Sequence, residues 1–538
     1  MLNLNNILES ISGFLWNYPV LWLILGGGLF FTLFSRLIPF RYLLHSLNIL
    51  RGKYDSESDP GQITHFQALS SALASTVGMG NIAGVAVAIH TGGPGAIFWM
   101  WVSAVIGMAT KFFTCTLAVM YRGKDDSGEI QGGPMYFIEV GLGKKFKPLA
   151  IFFSIAGLFG CLTFFQANQL SQLIRDFLYT PLELFSNNTS IANAVSGILM
   201  AAIVGLVVFG GIRRIAQVAS RLVPFMVTIY LLAAIMILLS HISEIPSLIR
   251  LIIHDAFTGE AVLGGAVGAV IATGIRRAAF SNEAGMGTEA MAHGAAKTKE
   301  PVREGLVAML GPLIDTIIVC SVTALVILTS GMWQAGFQSA EKVTIPAGSE
   351  SVNLRIDDIK ELSSPNKKWV GLEFTISKEL NNATVINDTI EIISVVDKET
   401  LLCKNLGNKD INVVKDSWFQ LEENGVTLTT LAFDKELGVA GKILIIIAVL
   451  TFSLSTMFGY SYYGRKCAGY LLGVRWKPAY NWVYVLAIVV ASMVKIDLAI
   501  NFVDSMFALM AIPTVISTLI LAPKVMQAAR KYFRQLES

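Results

Sequence analysis

Ser75-Thr76-Val77-Gly78-Met79-Gly80-Asn81-Ile82-Ala83-Gly84 is the stretch on which the fold turns. It lies inside the uncharged run 60–110, where a helix is expected. Its three glycines within seven residues weaken a helix by about 1 kcal/mol each. Lipid offers no partners to the peptide groups so released. Unwound backbone at membrane depth therefore survives only where it lines a cavity or binds something. The other reading, glycines that let helices pack closely, stays open at this point.

The rest of the chain says that its solvent is a bilayer. Of 538 residues, 54% are apolar and 15% charged, and mean hydropathy is +0.60. Soluble domains carry about 25% charged residues. This chain has too few charges to coat a water-facing surface, and it is too apolar to be disordered. A net charge of +3 implies no nucleic-acid field. The five cysteines form no CxxC and have no histidine at ligand spacing, so neither zinc nor a disulfide framework is expected. No Lys or Arg precedes the first apolar segment, which reads as a retained helix rather than a signal peptide.

Charge-free stretches mark eleven spans, near 19–38, 64–90, 94–121, 149–176, 194–212, 216–240, 260–279, 304–331, 438–464, 479–495 and 499–522. Gly92-Gly93-Pro94-Gly95 separates the second from the third. Alternate loops collect the Lys and Arg, for example Arg36 to Lys53, Arg122 to Lys147 and Lys524 to Arg534. That pattern places the N-terminus outside and the C-terminus in the cytoplasm of a multi-pass plasma (inner) membrane protein. Residues 335–435 break the composition with 27 charged residues. Their β-branched runs, Trp369–Ile376, Thr389–Val396 and Val426–Phe433, and the Asn424-Gly425 turn signal predict a small β-rich extracytoplasmic insertion. The expected units are thus 1–334, 335–435 and 436–538.

Span 7 resembles span 2 in being interrupted: its uncharged core, 261–275, holds Gly264, Gly265, Gly268 and Gly274. Spans 2 and 7 head two groups of five, and an odd number makes the groups enter from opposite sides. The expected fold is all-α and polytopic, an inverted 5+5 repeat (spans 2–6 and 7–11) plus one extra N-terminal helix, with the binding site where the paired interruptions meet. Half-helix N-termini suit a carboxylate, and freed carbonyls suit a small cation. Gly268 is the span 7 position assigned to the substrate.

Other polar groups fall in the spans. Span 9 carries Thr451-Phe452-Ser453-Leu454-Ser455-Thr456, whose hydroxyls either bond their own backbone or supply hard oxygens to Na⁺. Asp315 and Asp504 are intramembrane acids and candidates by default. Gln166, the deepest of four amides in span 4, is expected to face a polar substrate. No carboxylate lies in the Gly-rich break, which favours Na⁺ held by neutral oxygens over proton coupling.

Four motifs carry a family resemblance: Gly92–Trp101 (GGPGAIFWMW), Val77–Gly84 (VGMGNIAG), Phe280–Gly287 (FSNEAGMG) and Ser455–Gly464. In this order they resemble the alanine or glycine:cation symporter family, over the whole chain except 335–435. The resemblance implies the inverted-repeat fold of the bacterial leucine transporter and sodium-driven uptake of alanine or glycine. Thr76–Asn81 is also similar to the broken first helix of neurotransmitter:sodium symporters. By that similarity Thr76, Gly78 and Gly80 meet the substrate carboxylate and cation. The carbonyls of Ala74, Val77 and Phe452, with the hydroxyls of Ser455 and Thr456, form one Na⁺ site, and Asn81 serves a second cation or braces the break. The position of Tyr460, commonly Trp in the family, caps the pocket and admits a slightly larger or more polar side chain. The position of Thr114 is commonly acidic in the family, and a 335–435 insertion is atypical. Glu283 with Arg276 and Arg277 reads as an inner gate or a static brace.

The expected partners are a small amino acid, Na⁺ as coupling ion and lipid; no organic cofactor and no nucleic acid are expected, and the chain reads as a monomer. An enzyme would need a nucleophile–base pair or metal cluster that the sequence does not offer. A sensor built on 335–435 would need a cytoplasmic output domain. A channel would favour symmetry about the membrane normal rather than inversion.

Overall fold

The computed structural model describes residues 4–537 except 18, 57, 127, 180–181, 183, 186–187, 260–266, 347–348, 350, 361–372, 381–382, 397–398, 407–410, 414–417 and 422–424. The protein is mostly helical. Among the described residues, nine helices are long and apolar enough to cross a bilayer. The seventh and tenth expected spans fall on shorter helices: Val267–Asn282 has 16 residues and Lys477–Met493 has 17. A perpendicular crossing takes about 20.

Sequence chemistry accounts for the breaks. Thr64 opens the second span with a capping box to Gln67, and the helix His65–Thr76 stops at Val77. A second helix, Met79–Gly92, starts after Gly78. Gly93 turns the chain with φ 65°, and Gly95–Met120 follows. A Cβ on Gly95 would sit 2.4 Å from the Ala256 nitrogen. Close approach therefore demands glycine there, and the Gly95 N–H donates to Asp255 Oδ2 at 2.7 Å. Asp255 belongs to an unanticipated helix, Ile245–Thr258, in the loop before the seventh span.

Three boundaries differ from the sequence reading. The first span starts earlier, as Leu4–Asn17 and Pro19–Phe34. The fourth is split into Lys147–Gly160 and Phe164–Ile174. The eleventh runs unbroken as Ile496–Glu537, carrying the basic tail as helix.

Six antiparallel strands form a closed barrel in the order Trp418–Leu421, Gly336–Ser339, Val352–Lys360, Thr400–Asn405, Ala383–Val395 and Glu373–Leu380. Alternate residues Leu401, Cys403 and Asn405 point inward, joined in the core by Leu354, Ile356, Phe374 and Ile390. The run Val426–Phe433, read as β from its composition, is helical and opens the 47-residue helix Val426–Leu472. Burial against the helical body overrides β propensity here. Val426 N–H donates to Gln169 Oε1 at 3.3 Å, and the Thr429 hydroxyl donates to the Ile82 carbonyl at 3.2 Å. Gly438, at φ 59° and ψ −146°, kinks this helix.

Candidate functional site

The break at Val77–Gly78 is held open by its own residues. Gly78 N–H donates to Asn81 Oδ1 at 2.9 Å, so the Asn81 side chain stands in for the helical carbonyl of Ala74. Gly78 itself is in extended backbone that any residue can adopt. Its glycine identity is enforced by packing: a Cβ would lie 2.2 Å from Thr456 Oγ1 and 3.7 Å from the Phe452 carbonyl. Ser455 and Thr456 hydroxyls both donate to that carbonyl, at 2.8 and 3.0 Å. The break thus lies against the three span 9 groups expected to gather, and the hydroxyl oxygens keep lone pairs while donating. All five of Ala74, Val77, Phe452, Ser455 and Thr456 are buried.

The second break is not where the glycines of the seventh span suggested. Gly264 and Gly265 lie outside the described residues. Gly268 is exposed with nothing near its Cβ position, and Gly274 packs against the Ala96 carbonyl. The helix Val267–Asn282 runs through them and ends in the Phe280–Gly287 motif. There Glu283, Gly285 and Gly287 take φ of 56°, 94° and 81°, and a short helix, Glu289–His293, resumes. This segment faces the first break: a Cβ on Gly80 would meet Phe280 Cδ1 and its carbonyl, both at 3.2 Å. The segment packed against the first break is therefore Phe280–Thr288 rather than the backbone around Gly268. The signal was present in the SNEAGMG run, whose glycines permit left-handed backbone. Its acid and the two arginines made it read as a loop.

Glu283 is not paired with Arg276 or Arg277. Its carboxylate is buried and accepts hydrogen bonds from the Tyr460 and Thr288 hydroxyls. The Phe280–Gly287 break thus carries a carboxylate of its own, unlike the Gly-rich break of the second span. Arg277 instead donates to Asp504 Oδ2 at 2.6 Å, with Arg276 3.9 Å from the same oxygen. Arg277 also lies over the Phe280 ring, and Trp16 Nε1 donates to the Asp504 carbonyl at 2.9 Å. Phe280 stacks edge-on to Phe165 at 5.1 Å and tilts against Phe507 at 5.8 Å; Phe507 also meets Tyr460. These rings join Gly80, the residue next to Gln166, and Tyr460 into one neighbourhood. Gln166 Oε1 is buried there without a hydrogen bond. Its neighbours are engaged: Asn168 donates to the Val494 carbonyl at 2.6 Å, and Gln169 caps Val426.

A second polar cluster lies beside the first break. The Asn81 amide donates to Asp315 Oδ1, to the Asp315 carbonyl at 3.1 Å and to Ser281 Oγ at 3.3 Å. Ser281 donates to the same carboxylate at 2.5 Å. Asp315 Oδ2 is buried, and the Thr76 hydroxyl lies beside the carboxylate as its hydrogen-bond partner, with no other partner for either. Asp315 sits in a π-helical stretch, Leu313–Cys320, that follows Pro312. Proline lacks the N–H that would continue the regular ladder, and such bulges turn side chains toward function. Lys111, Glu289 and Glu304 are also buried, and the sequence reading did not single them out.

The segment leading into the first break is paired, backbone to backbone, with the segment after Glu289–His293. Gln62 N–H bonds the Ala295 carbonyl at 2.8 Å, and Lys297 N–H bonds that of Ile63 at 2.7 Å. Arg122 drives its guanidinium into four carbonyls, of Pro60, Gly294, Ala296 and Thr298, at 2.5–3.0 Å. Glu304 bridges His65 and His293 just behind. The adjoining hairpin of Gly123–Lys124 and Ile130–Gln131 is tied to the later spans through Lys477, which bonds Asp125 and Glu129. Burial pushes the Glu129 carboxyl up, but the Lys477 hydrogen bond and the charges of Arg465, Lys477 and Lys466 outweigh it and hold it below its usual value.

The profile of the sodium:alanine symporter family matches residues 1–358 and 383–538. This chain belongs to that family. It is 33% identical to an uncharacterized transporter of Haemophilus influenzae, over 100% of this chain and 98% of that protein. It is 32% identical to the sodium/alanine symporter AgcS of Methanococcus maripaludis, over 98% and 97% of the two chains. A probable sodium/glutamine symporter of Bacillus subtilis is 37% identical over 61% of this chain and 67% of its own length. As a sodium:alanine symporter family member with many apolar helices, the protein is a multi-pass membrane transporter.

Proposed function

We propose that this chain is a sodium-coupled symporter that carries a small neutral amino acid, alanine or glycine, into the cell by alternating access. One observation carries the reading. The first break, Val77–Gly78, and the Phe280–Thr288 segment that packs on Gly80 adjoin buried polar groups that are short of partners: Gln166 Oε1 has none, and Thr76 Oγ1 and Asp315 Oδ2 have only each other. A buried polar group left unpaired costs about 1–3 kcal/mol, so an array of them calls for a ligand.

The substrate carboxylate lies at the start of the helix Met79–Gly92, where free N–H groups and the helix dipole favour negative charge. Thr76, Gly78, Gly80 and Gln166 contact it and the ammonium; Phe280 and Tyr460 close over the side chain. One Na⁺ is held by the Ala74, Val77 and Phe452 carbonyls with Ser455 and Thr456. Asn81 braces the break, and Asp315 Oδ2 with Thr76 Oγ1 is the place for a second cation. Both donor sets are hard oxygens, as Na⁺ requires. A membrane potential adds about 2.3 kcal/mol per charge per 100 mV to the drive.

The fold behind this is eleven spans in an inverted 5+5 repeat after one extra helix, with the N-terminus outside and the C-terminus in the cytoplasm. The Arg277–Asp504 pair under Phe280 acts as the outer closure, and Arg122 with its carbonyls as the inner one. Both are made, so the conformation is occluded.

A larger polar amino acid such as glutamine is the second reading, favoured by Tyr460 and by the unpaired Gln166. Purified protein in liposomes separates the two. Labelled alanine should enter only with an inward Na⁺ gradient, and glycine should compete better than glutamine. Equal uptake in Na⁺ and K⁺ removes the coupling; stronger competition by glutamine reassigns the substrate.

A further inference from the structure

We propose that a groove at the C-terminal end of the last helix is a binding site for the headgroup of an anionic phospholipid. The groove encloses about 890 Å³. Three separate elements build it: Phe34 at the end of Pro19–Phe34, Met120 at the end of Gly95–Met120, and the last helix between Pro523 and Gln535. Its wall is apolar and its rim basic, with Lys524, Arg530, Lys531 and Arg534.

The rim is uncommitted. Arg530, Lys531 and Arg534 are exposed, and none lies within ion-pair distance of an acid among the described residues. Lys524 is the exception in being anchored, to the Gly141 carbonyl at 3.2 Å and over the Tyr121 ring. Several other cations are engaged, Arg122 by four carbonyls, Arg465 by Glu129 and Lys299 by Asp59, and the exposed Lys144 and Lys145 do not line this cleft. Three unneutralised cations beside an apolar cleft form a field that an anion relieves.

The shape decides which anion. The walls come from the ends of three membrane helices, so the groove lies at the boundary of the hydrocarbon. A lipid phosphodiester reaches guanidinium groups that favour forked bonds to phosphate, while its acyl chain lies along Phe34 and Met120. A free phosphate would leave that apolar wall in water. Orientation rules alone ask for cations near this face but for no cleft. Basic pockets between helix ends are the usual seat of anionic headgroups. Only the choice of leaflet, the cytoplasmic one, rests on the topology proposed above.

The test is lipid binding to the full chain in detergent micelles, read by native mass spectrometry, with phosphatidylglycerol against phosphatidylcholine. Phosphatidylglycerol should bind more tightly. Each charge removed should weaken it about fivefold, so R530Q/K531Q/R534Q loses on the order of a hundredfold. R534Q alone, about fivefold weaker, covers the case in which the triple variant fails to fold. K144Q/K145Q, which removes exposed lysines of another loop, should leave binding unchanged. Excess inorganic phosphate should not displace the lipid. Equal affinity for the two lipids, equal losses in both variants, or displacement by phosphate would each overturn the site. Binding is read without transport, so failure of the symport reading and failure of this one are distinguishable.

Discussion

Replacing Gly78 by alanine tests the packing of the first break against span 9. The new methyl would fall 2.2 Å from Thr456 Oγ1 but 3.4 Å from Thr456 Cβ. The clash is therefore with the hydroxyl alone. Thr456 would have to rotate, giving up its 3.0 Å bond to the Phe452 carbonyl, or the helices would have to part. Overpacking of this kind costs about 1–3 kcal/mol. T456A alone removes a back-bonded hydroxyl, about 1 kcal/mol. G78A/T456A leaves methyl against methyl in ordinary contact, so most of the G78A cost should return as a coupling of about 1–2 kcal/mol. Thermal unfolding in detergent reads that coupling. Sodium dependence of uptake reads the other half: the double variant should regain stability but not Na⁺ affinity, staying about tenfold or more weaker for want of one oxygen. If G78A is as stable as wild type, the break is not packed as described. If the double variant recovers Na⁺ affinity, Thr456 is not a ligand.

Three other perturbations follow from the same geometry. D315N keeps the Oδ1 bonds and removes the anionic Oδ2, so Na⁺ should activate uptake only at concentrations at least about tenfold higher; an unchanged Na⁺ titration would rule out a cation there. R277Q strands buried Asp504 and should cost about 3–5 kcal/mol, most of it recovered in R277Q/D504N; thermal melts in which single and double variants coincide would show that the pair is not buried. His241 hydrogen-bonds Glu244 and Glu436, at 3.1 and 2.6 Å, and these bonds raise its pKa above 6.5. A raised folded value means that this contribution is complete below about pH 6.5 and lost as pH climbs through the folded pKa. H241Q should therefore melt lower than wild type in mild acid, by less than about 1 kcal/mol, and the two should converge in alkali; a gap that widens with pH would contradict the assignment.

The first break was legible because three glycines within seven residues weaken a helix whatever else they do, and the packing of Gly78 and Gly80 could be seen only in the structure. Glu283 and Asn282 hid the second, since a charged, polar motif reads as solvent loop until its burial is known. The helix at 426–433 was misread because β-branched residues follow the partner they pack against, and that partner, Gln169 and Ile82, is some 250–350 residues away in the chain. Gln166 stood out by depth among four amides, and the geometry adds that its neighbours are spent on the Val494 carbonyl and the Val426 amide.

Arg122 has a mechanical consequence. Its guanidinium rivets the lead-in of one interrupted helix to the exit of the other, across Pro60 and Gly294–Thr298. Prising that joint apart would sever four charge-assisted bonds together, each about 1.5–3 kcal/mol. Opening of this closure is therefore costly, and the two strands of backbone it joins are held as a single plank until all four bonds give way.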